Sequence, residues 1–342
     1  MAAVGPAVGG FDQEAAVLAE SFVPYVTDNV FQSNRTTKIA WDSALRVDEG
    51  RFLALPLATA KNQTAQSFGQ YDSLASGPQS TLAVASFPWS WYQSAVTIDY
   101  QTLRLVRGPN MRVDNLTYQV QQAIAALADL IGNDLTNTTK GANSMTGVNS
   151  LGVVEASDNG TLINVYGQIA RQGTNSFPNW QGNVFSLTTT NIGTSANDMS
   201  RQSTIRVYTA CCIGDATPTH AFCNQQAVAS FMNTLDTMIR VSPGDSANPY
   251  LGNPHILAAE VVGDNHFPQI VNGTSIGYNL YFMNMNHTRM FYFGYKGFDY
   301  VPWIDTPNVL SKTSRYVTAF QFASDECRLN GQYNGFNDLL NL

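Results

Sequence analysis

The feature that most constrains this 342-residue chain is a long amphipathic helix predicted over 110–137, whose polar face carries almost no charge. Apolar residues recur there at spacings of three and four, the period of one apolar stripe on a helix. They are Leu116, Val120, Ala123, Ile124, Leu127, Leu130, Ile131 and Leu135. The opposite face presents Gln121, Gln122 and Asn133. A solitary soluble protein usually covers such a face with Lys and Glu, so a face of amides predicts that neighbouring protein covers it.

The low fraction of charged residues also indicates a surface that is covered by neighbouring protein chains. Charged residues make up 13 % of the chain, against roughly a quarter in ordinary soluble domains. The formal net charge is −7, and the sequence contains no basic cluster. Proteins that track the phosphates of nucleic acid concentrate Lys and Arg, so the charge disfavours that class. An anionic protein can still enclose nucleic acid that something else drives inside.

The N-terminal region gives no sign of export. The first residues, MAAVGPAVGGFDQ, lack the basic start and apolar segment of a secretory signal, and no segment has the roughly twenty apolar residues that a membrane helix requires. We therefore expect a protein made in the cytosol, with no membrane partner. Residues 1–12 predict a loose arm, and 13–33 predict a helix that Pro24 interrupts.

A long two-stranded excursion is predicted between Ile39 and Ala95, where runs at 51–57 and 82–91 flank a polar middle at 61–81. An isolated ribbon of this length has too little core to hold itself. Its aromatic residues are therefore expected to contact a neighbouring chain, the alternative being that they pack on their own chain. The predicted assembly interface, which includes the excursion's lone lysine, consists of Phe52, Lys61, Phe68, Tyr71, Trp89 and Trp91.

The remaining chain predicts a mixed α/β order without internal repeats. A strand at 95–106 precedes the long helix, and two further helices are predicted at 200–212 and 224–238. Short strands are predicted at 219–223, 256–262, 278–283, 290–293 and 315–322.

One short motif resembles a hydrolase nucleophile. Residues 273–277, GTSIG, match the G-x-S-x-G elbow, which needs a strand before it, a helix after it, and an acid and a histidine later in the chain. The residues that follow alternate like a strand, and His287 is the only later histidine, with no acid between it and Ser275. The motif therefore predicts a turn in a β-hairpin.

Two other clusters could suggest chemistry. Cys211, Cys212, His220 and Cys223 resemble a zinc set, but adjacent cysteines splay apart, whereas zinc knuckles space them by two to four residues. Residues 264–266, Asp-Asn-His, favour a loop whose side chains cap its own backbone. We predict no catalytic residue, cofactor or metal ligand, although scattered carboxylates such as those of glycosidases stay open.

The order of these parts resembles a known family. A loose arm, a long β excursion, a strand, one long helix, an α/β body and a late returning strand follow one another. Local segments agree, at Ala85–Trp89 (ASFPW), 165–184 (with Gly167, Ile169, Arg171 and Trp180) and 281–284 (YFMN). The chain resembles the major capsid proteins of tailed bacteriophages with the Hong Kong 97 fold, and the resemblance covers nearly its whole length.

The resemblance implies an α+β fold with an N-arm, an E-loop β-ribbon, a P-domain with a long spine helix, and an A-domain. The implied boundaries are an N-arm and N-terminal helix at 1–38, the E-loop at 39–94, the P-domain strand and spine helix at 95–140, the A-domain with connecting P-domain strands at 141–310, and a returning P-domain strand with the C-terminus at 311–342.

The function implied by the resemblance is structural. The chain would assemble with copies of itself into hexamers and pentamers of an icosahedral head shell, made in the host cytoplasm, that encloses double-stranded DNA without reading its sequence. A separate scaffolding protein, a portal and a decoration protein are the partners that such a shell implies. Some members crosslink an E-loop lysine to a neighbour's asparagine, and Lys61 lies in the corresponding region. The alternatives are a carbohydrate-binding or adhesin-like β-rich module and a carboxylate-based hydrolase.

Overall fold

The computed structural model describes residues 34–62, 64–74, 76–77, 81–100, 115–136, 143–148, 165–171, 177, 180–186, 201–236, 255–268, 270–272, 275–294, 298–306 and 309–337. In these ranges helices and strands are mixed, as the predicted α+β class requires. The arm and helix predicted within 1–33 lie outside the described residues, as do 101–114. Among the described helices, none combines the length and apolar character needed to cross a bilayer.

The helices are α1 (Arg35–Asp42), α2 (Asn115–Thr136), α3 (Arg201–Ala210) and α4 (Gln225–Asp236), with a 3₁₀ turn at Cys327–Leu329. The strands are β1 (Leu45–Val47), β2 (Phe52–Ala58), β3 (Leu82–Pro88), β4 (Ser90–Asp99), β5 (Val165–Tyr166), β6 (Ile169–Ala170), β7 (Asn183–Ser186), β8 (His220–Cys223), β9 (His255–Ile256), β10 (Ala259–Gly263), β11 (Ile270–Asn272), β12 (Ser275–Met283), β13 (Thr288–Phe293), β14 (Asp299–Asp305), β15 (Ser311–Ser324) and β16 (Gly331–Asn337).

The chain divides into two compact units. The described part of unit 1 holds residues 91–100, 115–131, 298–306 and 309–318, and unit 2 holds the other described residues. In unit 1, β14 pairs antiparallel with the first part of β15, and β4 also pairs with β15. A small core forms where Val96 and Ile98 of β4 pack with Ala123 of α2, flanked by Trp303 and Tyr316.

The long helix predicted over 110–137 is confirmed as α2. Its apolar stripe is buried at Ala123, Leu127, Ile131 and Leu135, whereas Gln121, Gln122 and Asn133 are exposed. The prediction was wrong for Leu130, which is 46 % exposed. At 100° per residue Leu130 lies about 60° from Leu127, at the edge of the stripe and away from its centre.

Unit 2 contains a mixed sheet in the order β7-β16-β12-β8-β10-β9, with β11 added on β12. β12 pairs antiparallel with both β16 and β8, whereas β10 pairs parallel with β8. Helices α3 and α4 cover this sheet with Val207, Tyr208 and Phe231, which pack in one core with Phe282 and Tyr333. In the same unit β13 lies between β1, its parallel partner, and the last residues of β15.

One helix was not predicted. The sequence from Ile39 onward suggested an excursion of strands, but α1 extends to Asp42. The Asn34 side chain accepts a hydrogen bond from the N–H of Thr37 at 2.7 Å, which caps the first turn. A cap satisfies donors that a helix otherwise leaves free, and here it outweighs the low helix propensity of the β-branched residues that follow.

Two predicted strands are each divided in the structure. The run 82–91 is β3 followed by β4, with the break at Trp89 directly after Pro88. The run 256–262 is the antiparallel hairpin β9–β10, which turns at Leu257 with a φ of 55°. Nothing in the sequence marks this turn, because Leu rarely adopts a positive φ.

Further strand and helix predictions are confirmed to within four residues at each end, in α3, α4, β8, β12, β13 and β15. The strand predicted at 95–106 overlaps β4, which begins earlier, at Ser90, and 101–106 lie outside the described residues. The predicted hairpin at the GTSIG segment is confirmed by its flanks, where Asn272 of β11 pairs with Ser275 of β12. Ser275 therefore begins a strand and does not precede a helix, so the nucleophile elbow is absent from this position.

Candidate assembly surfaces

The ribbon, defined here as β2, β3 and the connecting residues 59–81, has two different faces. Leu53 and Leu57 of β2, and Ala85 and Phe87 of β3, are buried on one face. Alternate side chains must point to the other face. That second face is apolar and open, with Phe52 41 %, Val84 58 % and Leu82 74 % exposed. Exposed apolar surface of this kind is typical of a site that another protein covers.

The connecting residues carry two further exposed aromatic side chains. Phe68 is 67 % exposed and Tyr71 is 93 % exposed. The Asp72 carboxylate, directly after Tyr71, accepts a hydrogen bond from the N–H of Gly69 at 2.5 Å and forms a local turn. The structure thus gives these rings a defined backbone without burying them.

The other predicted interface residues have different environments. Phe52 stacks under the Arg51 guanidinium at 5.4 Å, and Trp91, in unit 1, is 61 % exposed. Trp89 is only partly exposed, because its ring packs edge-on against Phe293 at 5.5 Å and its Nε1–H donates to the Gly50 carbonyl at 3.0 Å. The aromatic residues are expected either to contact a neighbouring chain or to pack on their own chain. The geometry at Trp89 favours packing on its own chain.

The ribbon joins the body of unit 2 through a short turn that contains Gly167 of the 165–184 segment. We call β5, residues 167–168 and β6 the anchor hairpin. The N–H of Ser86 in β3 donates to the Gly167 carbonyl at 2.9 Å. Gly167 has a φ of 58°, and a Cβ at this position would lie 2.7 Å from the Phe87 ring and 2.8 Å from the Ala85 Cβ. Only glycine fits a turn with this backbone and this approach.

Aromatic packing holds the anchor hairpin in place. The Tyr166 ring lies 4.9 Å from that of Phe87 and 5.5 Å from that of Trp180. The Trp180 Nε1–H donates to the Tyr166 carbonyl at 2.9 Å, and the Tyr166 hydroxyl accepts from the N–H of Ser324 at 3.1 Å. Complete burial raises the pKa of Tyr166 above its usual range, so this hydroxyl stays neutral.

A buried cation completes the same cluster. The Arg171 guanidinium lies over the Tyr166 ring at 4.5 Å, and its Nη2 is 3.9 Å from the Cys327 Sγ. A cation over an aromatic face is attracted by the ring's quadrupole, more strongly when both are desolvated. Burial raises the pKa of Cys327 to about 12, so Arg171 faces a neutral thiol and a neutral phenol.

A cleft separates the outer part of the ribbon from the body of unit 2. Its volume is about 490 Å³. Residues 56–61 form one side, ending at Lys61. The other side consists of Ile169, Phe177, Trp180, His287, Asp325, Glu326 and Arg328. His287 and Asp325 form a hydrogen bond of 2.9 Å there. Lys61 thus shares the cleft with two carboxylates.

The Asp264-Asn265-His266 loop does cap its own backbone, as predicted. Asp264 Oδ1 accepts from the His266 N–H at 3.0 Å and pairs with its Nδ1 at 2.9 Å. Its Oδ2 accepts from the N–H of Thr36 in α1 at 2.9 Å. Burial alone would raise the pKa of Asp264, but the bonds from His266 and Thr36 outweigh burial and lower it. This carboxylate therefore has a structural role, in which it connects its own loop to α1.

Comparison with known proteins relates this architecture to solved shells. No protein-family model matches the chain, and no curated protein does. Three similar structures are the "Cyanophage A-1(L) capsid asymmetric unit" (TM-score 0.65, 12 % identity, 93 % of this chain and 97 % of that chain), the "Capsid of native GTA particle" (0.59, 11 %, 94 % and 98 %), and the "holo-SrpI encapsulin complex from Synechococcus elongatus PCC 7942" (0.57, 9 %, 96 % and 96 %).

These matches confirm the predicted fold. The chain has the α+β Hong Kong 97-like fold of phage capsid proteins along almost its whole length. At identities of 9 to 12 % the similarity lies in the fold and not in shared site residues. The carbohydrate-binding and hydrolase alternatives gain no support from it.

Proposed function

We propose that this chain is the major capsid protein of a tailed bacteriophage and that copies of it assemble into the head shell. The observation that carries the proposal is the fold match over 93 % of the chain to a cyanophage capsid subunit, which also spans 97 % of that subunit. A chain that matches a capsid subunit over almost all of both lengths has the architecture from which such shells are built.

The exposed surfaces support this function. The ribbon leaves an apolar face uncovered at Phe52, Leu82 and Val84, and its connecting residues expose Phe68 and Tyr71. Permanent assemblies bury more than roughly 2,000 Å² per contact and are more apolar than transient ones. We propose that ribbons overlap adjacent subunits with these residues inside hexamers and pentamers, and that the five predicted segments are the parts of each subunit.

The charge of the chain suits DNA as the content. A formal net charge of −7 gives an inner wall that weakly repels phosphate, so packaged DNA stays free to move. A scaffolding protein, a portal and a decoration protein are the further partners of the proposed shell. A strongly basic inner wall on the purified particle would contradict the electrostatic part of the proposal.

The experiment is assembly of the purified chain, alone and together with its candidate scaffolding protein. Sedimentation velocity and cryo-electron microscopy should show closed particles built from hexamers and pentamers. Particles isolated from infected cells should hold DNA that nuclease cannot reach. One similar structure is an encapsulin complex. Particles without protected DNA would therefore still support assembly into a shell but would refute the role as a phage head. A chain that stays monomeric under every assembly condition would refute both.

A further inference from the structure

We propose that the anchor hairpin sets the direction in which the ribbon leaves unit 2, and that Gly167 is the positioning residue of this joint. The inference rests on the proposed function in one respect: ribbon direction matters because it decides where the ribbon meets an adjacent subunit. The joint itself is a property of the single chain.

The contact at Gly167 leaves no free space. Its carbonyl accepts from Ser86 at 2.9 Å, and an added Cβ would meet Phe87 Cζ at 2.7 Å, Ala85 Cβ at 2.8 Å and Phe87 Cε2 at 3.0 Å. Ordinary van der Waals contact begins at 3.4 Å. Ala85 is 0 % and Phe87 2 % exposed, so neither can rotate aside into solvent. A methyl group here must separate the ribbon from the anchor hairpin.

The anchor hairpin is the less movable of the two partners. Tyr166 is held on its ring by Trp180 and Arg171, on its carbonyl by Trp180 Nε1, and on its hydroxyl by the N–H of Ser324. Packed interiors have low compressibility and transmit strain. Displacement at Gly167 therefore falls on the ribbon.

The ribbon has room to tilt. The cleft of about 490 Å³ lies between residues 56–61 and the body of unit 2, so open space adjoins the outer end of β2 although Leu57 itself is buried. The contact with Gly167 lies at Ala85 and Phe87, between the middle of β3 and its base at Pro88. The three residues from Ala85 to Leu82 extend about 10 Å, so a shift of several tenths of an ångström at the contact is roughly doubled at the outer end.

The test measures ribbon direction in the unassembled full chain by double electron–electron resonance. Spin labels on non-natural amino acids replace Leu82, at the outer end of β3, and Thr209, on the exposed side of α3. Gly167→Ala should shift the modal distance by ~1–2 Å through the lever just described. Gly214→Ala is the matched control, because Gly214 has nearly the same φ, 60°, but nothing within 4 Å of its added Cβ. It should leave the distance unchanged.

Two further variants keep the test decisive. Adding Ala85→Gly and Phe87→Leu to Gly167→Ala removes the clashing atoms and should restore the parent distance. Tyr166→Phe loses the hydroxyl that accepts from Ser324 and should broaden the distance distribution without moving its centre; it decides the question if Gly167→Ala does not fold. The inference would be overturned if Gly167→Ala left the distance unchanged, or if Gly214→Ala shifted it equally. If Gly167→Ala does not fold, a Tyr166→Phe distribution as narrow as that of the parent would overturn it.

Assembly then shows the consequence. Under conditions in which the parent forms closed particles, Gly167→Ala should form particles of altered or mixed diameter, and the compensated variant should return to the parent diameter. Parent diameters from a Gly167→Ala chain whose ribbon has shifted would overturn the link between ribbon direction and shell geometry. If the parent itself does not assemble, the proposed function fails, while the distance measurement still decides the positioning role.

Discussion

The carboxylate of Asp264 accepts a hydrogen bond from the backbone N–H of Thr36 at 2.9 Å, although 228 positions separate the two residues. Thr36 is in the first turn of α1, where backbone N–H groups lack partners within the helix. Asn34 satisfies one of these groups and Asp264 another. The loop after β10 therefore completes a helix that the local sequence leaves incomplete.

Acid should weaken this junction. Because hydrogen bonds lower the folded-state pKa of Asp264, its contribution to the free energy of unfolding is present above the unfolded pKa of about 3.9 and is lost as the pH falls through the lower folded value. Asp264→Asn removes this dependence and costs about 1–3 kcal/mol at pH 7. Urea unfolding between pH 2 and pH 7 measures both. Exposed Asp215→Asn is the control, and an equal loss in both variants contradicts the prediction.

Trp89, the predicted interface tryptophan that packs on its own chain, should act on stability. Trp89→Phe keeps a ring against Phe293 but loses the bond to Gly50, at a cost of about 1 kcal/mol. Trp89→Ala also loses the ring contact and should cost about 2 kcal/mol in total. Chemical denaturation of the unassembled chain measures the order. Two variants as stable as the parent would show that the ring is held by a neighbour instead.

The exposed rings of the ribbon should act on assembly. Phe68→Ala and Tyr71→Ala remove 67 % and 93 % exposed side chains, so the free energy of unfolding should change by less than about 0.5 kcal/mol. If the rings anchor an interface, the yield of assembled particles should fall severalfold. Gln70→Ala, on the same exposed turn, is the control for light scattering and sedimentation. An assembly yield that follows monomer stability would place the rings in a local core.

Local periodicity predicted the elements whose partners lie on one face of a regular pattern. The stripe through Ala123, Leu127 and Ile131 identified α2, and alternation identified β12. These predictions succeed because burial follows the helix or strand period whatever covers the buried face. The same regularity supported the fold resemblance, since it gave the order and lengths of the parts.

The anchor hairpin could not be predicted in this way. Gly167 and Arg171 are visible in the sequence as a motif, but their roles depend on Phe87, which lies far earlier in the chain, and on Cys327, far later. The cap that Asp264 gives to α1 is equally distant. Contacts of this range leave no periodic signal, so sequence reasoning supplies the residues without their partners.

Cys212 should react with alkylating agents faster than the other three cysteines. Burial raises the pKa of Cys211, Cys223 and Cys327 to about 12, and only the thiolate reacts with alkylating agents. Half-buried Cys212 also has a raised pKa but is accessible. Iodoacetamide at pH 8 followed by mass spectrometry should modify Cys212 first and the others only with global unfolding. Cys212→Ser should abolish the early modification, and early labelling of Cys327 would contradict its packing against Arg171.

The turn at Leu257 should be improved by a residue suited to its backbone. Leu257 has a φ of 55° and is 56 % exposed. Burial of its side chain therefore does little to offset the free-energy cost of the left-handed backbone. Such a conformation costs about 1–2 kcal/mol for an ordinary residue, and Asn tolerates it better than Leu. Leu257→Asn should therefore raise the free energy of unfolding by about 0.5–1 kcal/mol. Leu310→Asn replaces a leucine that is 73 % exposed and has no positive φ, and it should leave stability nearly unchanged in the same denaturation experiment. A gain shared by both variants would point to lost surface hydrophobicity, because of these two positions only 257 has a left-handed backbone.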